Sequence, residues 1–229
     1  MKLAIIGYGK MGRMIEGLAP AHGFNVAARL DLGWEPGQLS AASPDVAIEF
    51  STPEAAPANL EAIASLGIPT VCGTTGWFHE LGRVSAAVAR HESALVYSAN
   101  YSIGVNIFQR LVADAAALFE KQDAYEAWAW EIHHSAKKDA PSGTLLKLVS
   151  EMRKAGYTKP VHESASRAGR HPGTHEIGFD SQADTITLRH TARSREGFAQ
   201  GALTAARWII GKRGVHEFSD VLFGGSSCS

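Results

Sequence analysis

The sequence predicts an α/β protein: an N-terminal Rossmann-like parallel sheet with helices on both faces, followed by a C-terminal α+β substrate domain with an open mixed sheet. Three observations predict it. Over the first hundred residues short apolar runs alternate with helix-like stretches, the pattern of repeated βα units with right-handed crossovers. Those runs are apolar on both faces, as strands covered by helices on each side must be. Beyond them the apolar residues alternate in period two, which suits strands with two unlike faces.

Taken in order, strands are expected at 3–6, 26–30, 46–50, 70–72 and 94–97, with helices near 10–21, 54–66 and 78–91. In the first helix Met11, Met14, Ile15 and Leu18 form one apolar stripe. Pro53 suits the first turn of the second. A helix near 105–120 leads to a strand near 125–132, where Trp128, Trp130 and Ile132 alternate with Ala127, Ala129 and Glu131. Strands follow at 175–179 and 185–189, then a helix near 196–210. The expected organisation is a dinucleotide-binding domain at 1–100, a substrate-binding and oligomerisation domain at 101–200, and a segment at 201–229 that packs back on the first.

The chain has 229 residues and a formal charge of −1. That balance argues against a nucleic-acid or anionic-membrane surface without excluding a local basic pocket. No apolar run approaches the ~20 residues that span a bilayer, and the short apolar start is not a signal peptide, so the expected compartment is the cytoplasm. The two cysteines form neither a disulfide framework nor a metal-ligand pattern. Cys72 reads as a small buried thiol and Cys228 as part of a frayed tail.

Gly7-Tyr8-Gly9-Lys10-Met11-Gly12 matches G-x-G-x-x-G between a predicted strand and a predicted helix, the context that gives the motif meaning. The first glycine permits the turn, the second lets backbone approach a pyrophosphate, and the third lets helix pack on strand. The helix start offers free N–H groups and the positive end of its dipole. Asp31 ends the next strand, where a carboxylate accepts from the ribose hydroxyls. Leu32, rather than arginine, follows it, and Asp31 would repel a 2′-phosphate, so NADH is expected over NADPH.

Glu131-Ile132-His133-His134-Ser135-Ala136-Lys137-Lys138-Asp139-Ala140-Pro141-Ser142-Gly143-Thr144 gathers two imidazoles and two ammonium groups before a turn. On a continuous strand His133 and His134 would point to opposite faces, so both serve one site only if the strand ends there. Ala140-Pro141-Ser142-Gly143 supports a turn, and Ser142 or Thr144 begins a helix. The free N–H groups of Gly143 and Thr144 make a carboxylate cradle. Lys137 is a proton donor or a charge clamp, and histidine is an apt general acid near neutral pH. The histidine pair has no third ligand at zinc-like spacing; His162, His171, His175 and His190 remain open, and no metal is expected.

The segment Glu131-x-His133-His134-x-x-Lys137-x-Asp139-Ala140-Pro141-Ser142-Gly143-Thr144 resembles the signature of the dihydrodipicolinate reductases. The resemblance runs nearly end to end, through Cys72-Gly73-Thr74-Thr75-Gly76, Ser98-Ala99-Asn100-Tyr101-Ser102-x-Gly104-Val105-Asn106 and Arg195-x-x-Phe198-Ala199-x-Gly201-Ala202. It implies hydride transfer from a nicotinamide to a cyclic imine dicarboxylate in lysine and diaminopimelate synthesis, by a homotetramer built on the C-terminal sheet. It implies that His133 donates or accepts a proton and Lys137 donates one, that His134, Gly143 and Thr144 bind substrate carboxylates, and that Gly73, Thr74 and Thr75 with Ser98, Ala99, Asn100 and Tyr101 line the nicotinamide half of the cofactor. The chain departs from the family's pattern in its shorter glycine turn, in Leu32 where arginine is frequent, and in Tyr101 where methionine or phenylalanine is frequent. Two alternatives stand beside this reading: a nicotinamide enzyme acting on another imine or amino acid, and a non-catalytic dinucleotide sensor.

Overall fold

The computed structural model describes residues 1–224; Cys228 lies outside them. In chain order the elements are β1 (Lys2–Ile6), α1 (Lys10–Leu18), β2 (Asn25–Leu30), α2 (Pro36–Ala42), β3 (Val46–Glu49), α3 (Ala56–Ser65), β4 (Thr70–Cys72), α4 (Leu81–Arg90), β5 (Ala94–Tyr97), α5 (Ile103–Phe119), β6 (Glu126–His133), α6 (Gly143–Lys154), β7 (Val161–Arg167), β8 (Thr174–Asp180), β9 (Thr185–Thr191), α7 (Glu196–Ile209), β10 (Gly214–Glu217) and α8 (Phe218–Phe223). They form two compact units. Residues 1–103 and 196–224 make the first, and Gly104–Arg195 the second.

The first unit is a six-stranded parallel sheet in the order β10-β5-β4-β3-β1-β2. Alternation within β1 divides its core. Leu3 and Ile5 join Ile48, Ile15 of α1 and Leu203 and Ile209 of α7 on one face. Ala4 and Ile6 join Leu39 of α2 and Ile63 of α3 on the other. Both faces of each central strand are therefore buried, and the candidate cofactor-binding loops fall at the carboxyl ends of the strands. The motif ending in Gly201-Ala202 has a packing cause: a Cβ on Gly201 would lie 1.8 Å from the Tyr101 carbonyl oxygen, so α7 approaches the loop after β5 only with glycine there. Cys72 is fully buried and its thiol donates to Glu49 Oε2 at 3.1 Å; burial, reinforced by the Glu49 charge, pushes that thiol well above the ordinary range.

The second unit is a four-stranded sheet in the order β7-β6-β8-β9, parallel between β6 and β7 and antiparallel elsewhere. α5 and α6 cover one face. Phe108, Val112, Leu145, Leu148 and Met152 pack over Ala127, Ala129, Ile177 and Phe179. The small residues of β6 thus face the helices, and Trp128 and Trp130 stand half-buried on the other face. A Cβ on Gly178 would lie 2.1 Å from the Trp128 ring, so that indole lies flat across β8. The tryptophans border an open groove of about 610 Å³ with His162, Glu176 and Arg189.

Candidate active site

In the first unit the glycine turn joins β1 to α1. Gly7 has φ of 87°, and a Cβ there would sit 2.0 Å from the Phe50 carbonyl oxygen; on Gly12 it would sit 2.5 Å from the Gly7 carbonyl oxygen. Both positions require glycine for the protein's own packing. At Gly9, the residue preceding α1, a Cβ would meet nothing within 4 Å. Its open face and the helix start, which among the described residues no side chain caps, fit a pyrophosphate.

The other cofactor candidates divide into those facing outward and those engaged by the protein. Lys10 is exposed and Met11 is half-buried against the core. The Tyr8 hydroxyl donates to Glu16, and so does Arg29 Nε, at 2.6 Å. Asp31 is exposed directly after β2, beside Leu32 at 86% exposure. After β4, Gly73 carries the Phe50 ring against it and Thr75 is exposed. Thr74 is buried, donating to Glu49 Oε2 at 2.7 Å and accepting from the Ser51 N–H at 2.8 Å. After β5, Ser98 Oγ donates to the Asn100 carbonyl at 2.9 Å, Ala99 is exposed, and Asn100 Oδ1 accepts from the Ser102 N–H at 2.8 Å. The Tyr101 side chain turns into the core, where its hydroxyl donates to the Cys72 and Val96 carbonyls at 2.9 and 3.0 Å. Thr74 and Tyr101 therefore fix the loops rather than offer side chains to a ligand.

In the second unit β6 ends at His133 and the chain turns at once. The Lys137 N–H reaches the His134 carbonyl at 3.1 Å, and the Ala168 N–H reaches that of His133 at 2.9 Å. Ser142 precedes α6, and its hydroxyl accepts from the Leu145 N–H. Gly143 is exposed at the helix start, with Thr144 and His134 half-exposed. Lys137 Nζ pairs with Asp139 Oδ1 at 2.8 Å. That bond, aided by the Gly143 N–H, holds the Asp139 carboxyl below the usual range. Lys137 is thus already engaged with a carboxylate.

Glu131 is the centre of the site. It has no exposed surface, yet four protein donors surround it. Oε1 accepts from the Ser142 N–H at 2.8 Å and from Arg167 Nη2 at 2.8 Å. Oε2 accepts from the Ser142 hydroxyl and lies 3.3 Å from His175 Nε2. Burial works against its charge, but the bonds from Ser142 and Arg167 prevail and hold the carboxyl below its ordinary range. His133 Nδ1 lies 3.7 Å from the same carboxylate. Burial pulls its imidazole below the ordinary histidine range, Lys137 and Arg167 act in the same direction, and Glu131 opposes them. His175 is lowered to about 4, chiefly by burial and then by His133. Both rings are therefore neutral near pH 7.

Glu131, His133 and His175 place three possible ligand atoms within 4.8 Å of one another, which spacing along the chain did not reveal. The carboxylate already takes its positive charge from Arg167 and its hydrogen bonds from Ser142, so the donor set fits a protein network better than a metal. Of the other histidines, His190 is paired across strands with His175, His162 stands on the groove face, and His171 is exposed.

Glu49 and Arg167 are additions to the residues picked out from sequence, and His175, left open there only as a metal ligand, joins the site through Glu131. The signal for Glu49 is an acid closing the apolar run Val46-Ala47-Ile48. His175 faces Glu131 only through the β6–β8 register, which sequence does not supply.

Residues 1–101 match the family model for the N-terminus of dihydrodipicolinate reductase, and residues 104–222 match that for its C-terminus. The chain belongs to the dihydrodipicolinate reductase family. Among its relatives, the 4-hydroxy-tetrahydrodipicolinate reductase of Christiangramia forsetii is 35% identical, over 97% of this chain and 98% of the relative. That of Archaeoglobus fulgidus is 34% identical, over 97% and 100%. The dipicolinate-bound dihydrodipicolinate reductase of Paenisporosarcina sp. TG-14 shares the fold at a TM-score of 0.80 and 19% identity, over 95% of this chain and 97% of that one. An amine dehydrogenase from Mycobacterium smegmatis shares it more loosely, at 0.65 and 10%, over 96% and 95%.

Proposed function

We propose that this chain reduces 4-hydroxy-tetrahydrodipicolinate to tetrahydrodipicolinate, with loss of water, in lysine and diaminopimelate synthesis. The observation that carries the reading is the match of both family models across residues 1–222, interrupted only between them. A reduced nicotinamide, when bound, supplies the hydride. Gly7, Tyr8, Gly9, Lys10, Met11, Gly12 and Asp31 hold its adenosine and pyrophosphate; Gly73–Thr75 and Ser98–Tyr101 shape the nicotinamide end, Thr74 and Tyr101 through backbone alone.

Lys137, His134 and the N–H groups of Gly143 and Thr144 receive the substrate carboxylates. What supports this is Asp139, whose carboxylate already engages Lys137; a substrate carboxylate would exchange with it, like for like. The cationic cluster offsets negative charge as the ring accepts hydride. Lys137 is then placed to deliver a proton to the ring, and His133, neutral near pH 7, to accept or return one.

NADH is the preferred cofactor. Asp31 stands at the ribose position, Leu32 adds no cation, and Arg29 is occupied by Glu16. The outward face of the second sheet, with Trp128 and Trp130, is the surface through which copies assemble into a tetramer; half-buried indoles on an open sheet support that reading. A reaction that consumes a nicotinamide belongs where the cofactor is regenerated, which supports the cytoplasm.

The test supplies the substrate in situ from pyruvate and aspartate semialdehyde with a dihydrodipicolinate synthase and follows NADH and NADPH oxidation. Oxidation dependent on the synthase is expected, faster with NADH. A folded protein that binds NADH but oxidises neither cofactor refutes the reading.

A further inference from the structure

We propose that His175 is a positioning residue for this reaction, coupling the proton-handling His133 to the carboxylate-binding start of α6 through Glu131 and Ser142. The inference rests on the reductase reading and deepens it.

The geometry is specific. β6 and β8 pair antiparallel with Glu131 opposite His175, so both side chains project from one face of the sheet. His175 Nε2 lies 3.3 Å from Glu131 Oε2 and 3.2 Å from Ser142 Oγ. One ring N–H therefore sits between the carboxylate and the hydroxyl that begins α6. The His133 ring meets the His175 ring edge to face, with centroids 5.0 Å apart. His175 thus touches all three neighbours that set the site: the carboxylate, the helix start and the proton-carrying ring. It is 5% exposed.

A neutral ring suits this task. With Nε2 protonated, His175 donates to the Glu131–Ser142 pair and adds no charge beside His133. Among the described residues, the charged or titratable groups that act on the cluster are Glu131 on β6, Arg167 on β7, His190 on β9, and Lys137 and Asp139 in the turn. Arg167 neutralises Glu131, so the work left to His175 is to direct the carboxylate. If that donor is lost, Glu131 Oε2 keeps one strong donor, Ser142, and turns toward His133 Nδ1. Its charge then holds a proton on His133 more tightly, and Ser142 is free to shift the N–H groups of Gly143 and Thr144.

The experiment compares His175→Leu, which keeps bulk and removes the donor, with His175→Gln, which keeps an N–H near Nε2. Each is assayed for kcat/KM, for NADH affinity by direct binding, and for the titration of His133 by NMR of ring-labelled protein. The expected result for His175→Leu is a fall in kcat/KM of about 10–100-fold, unchanged NADH affinity, and a His133 titration moved to higher pH. His175→Gln restores most of the rate and the wild-type titration. A folded His175→Leu within about threefold of wild type, with His133 titrating as before, overturns the proposal. So does a loss that both variants share equally with no movement of His133, since packing alone would explain it. Should His175→Leu not fold, His175→Gln decides: a near wild-type rate and titration support the role, and a folded variant with a tenfold loss overturns it. A wild-type protein inactive in the same assay sinks the reductase reading instead, and the His133 titration still tests the coupling.

Discussion

Replacing Glu131 with glutamine changes one atom and keeps the volume, so its cost isolates the network. In the wild type the carboxylate accepts from the Ser142 N–H and hydroxyl and from Arg167, and has no exposed surface. Glutamine removes the charge and turns one acceptor into a donor, so either Arg167 or Ser142 faces an N–H. A hydrogen bond to a charged group contributes about 1.5–3 kcal/mol, and breaking a buried ion pair by removing one partner costs about 3–5 kcal/mol. Arg167 keeps the Asp139 and Ser166 carbonyls as partners, so the lower end, about 3 kcal/mol, is expected. Urea unfolding at pH 7 followed by tryptophan fluorescence reads it, because Trp128 and Trp130 share β6 with Glu131. The pH dependence has a definite sign. Folding lowers the Glu131 pKa, so its stabilisation is present above the unfolded value of about 4.3 and is lost as pH falls through the depressed folded value. The gap between wild type and Glu131→Gln should be flat from pH 6 to 8 and close in acid. A variant within about 0.5 kcal/mol of wild type at pH 7 would refute the account of Glu131 as the anchored centre of the site.

Lys137→Ala should lower kcat/KM by about 10²–10³-fold through lost charge and proton delivery, with NADH affinity unchanged in a binding titration; near-normal turnover would remove Lys137 from the mechanism. Leu32→Arg should shift the NADPH-to-NADH ratio of kcat/KM upward by about tenfold or more, and an unmoved ratio would place cofactor choice elsewhere. Gly173→Ala puts a Cβ 2.9 Å from His133 Nε2 at a φ of 132°. It should cost about 1–3 kcal/mol in strain and at least about tenfold in kcat/KM; a fully active variant would show that the His133 position tolerates displacement. Trp130→Glu should shift the sedimenting species to a smaller assembly, whereas an unchanged mass would clear the sheet face of that role.

The parallel sheet was legible in sequence because its central strands are apolar on both sides. Val46–Glu49 and Ala94–Tyr97 have few alternatives once flanked by helices. β7 was not legible. Val161–Arg167 holds one large apolar residue, lies mostly exposed, and takes its place from parallel pairing with β6. β10 is a four-residue strand at a sheet edge, three residues half-buried and Glu217 exposed, that begins with glycine. Alternation in β6 announced two unlike faces without saying which met the helices. Volume decides that: α5 and α6 fill the space over Ala127 and Ala129, leaving the indoles outward. The candidate site divides in the same way. The contiguous run from Glu131 to Thr144 reads directly as imidazoles, a cation and a helix start. Arg167 and His175 reach it through strand register, and sequence does not show that the hydroxyls of Thr74 and Tyr101, two of the candidate cofactor residues, bond to Glu49 and to backbone.

The reductase reading requires hydride transfer from a nicotinamide to the ring of a cyclic dicarboxylate. The most direct measurement incubates the protein with NADH deuterated at both C4 positions and the substrate formed in situ, then reads the mass of the product. Tetrahydrodipicolinate one mass unit heavier than that made with ordinary NADH is the predicted result. Oxidised cofactor with unlabelled product, or labelled cofactor left intact beside unreacted substrate, would contradict it.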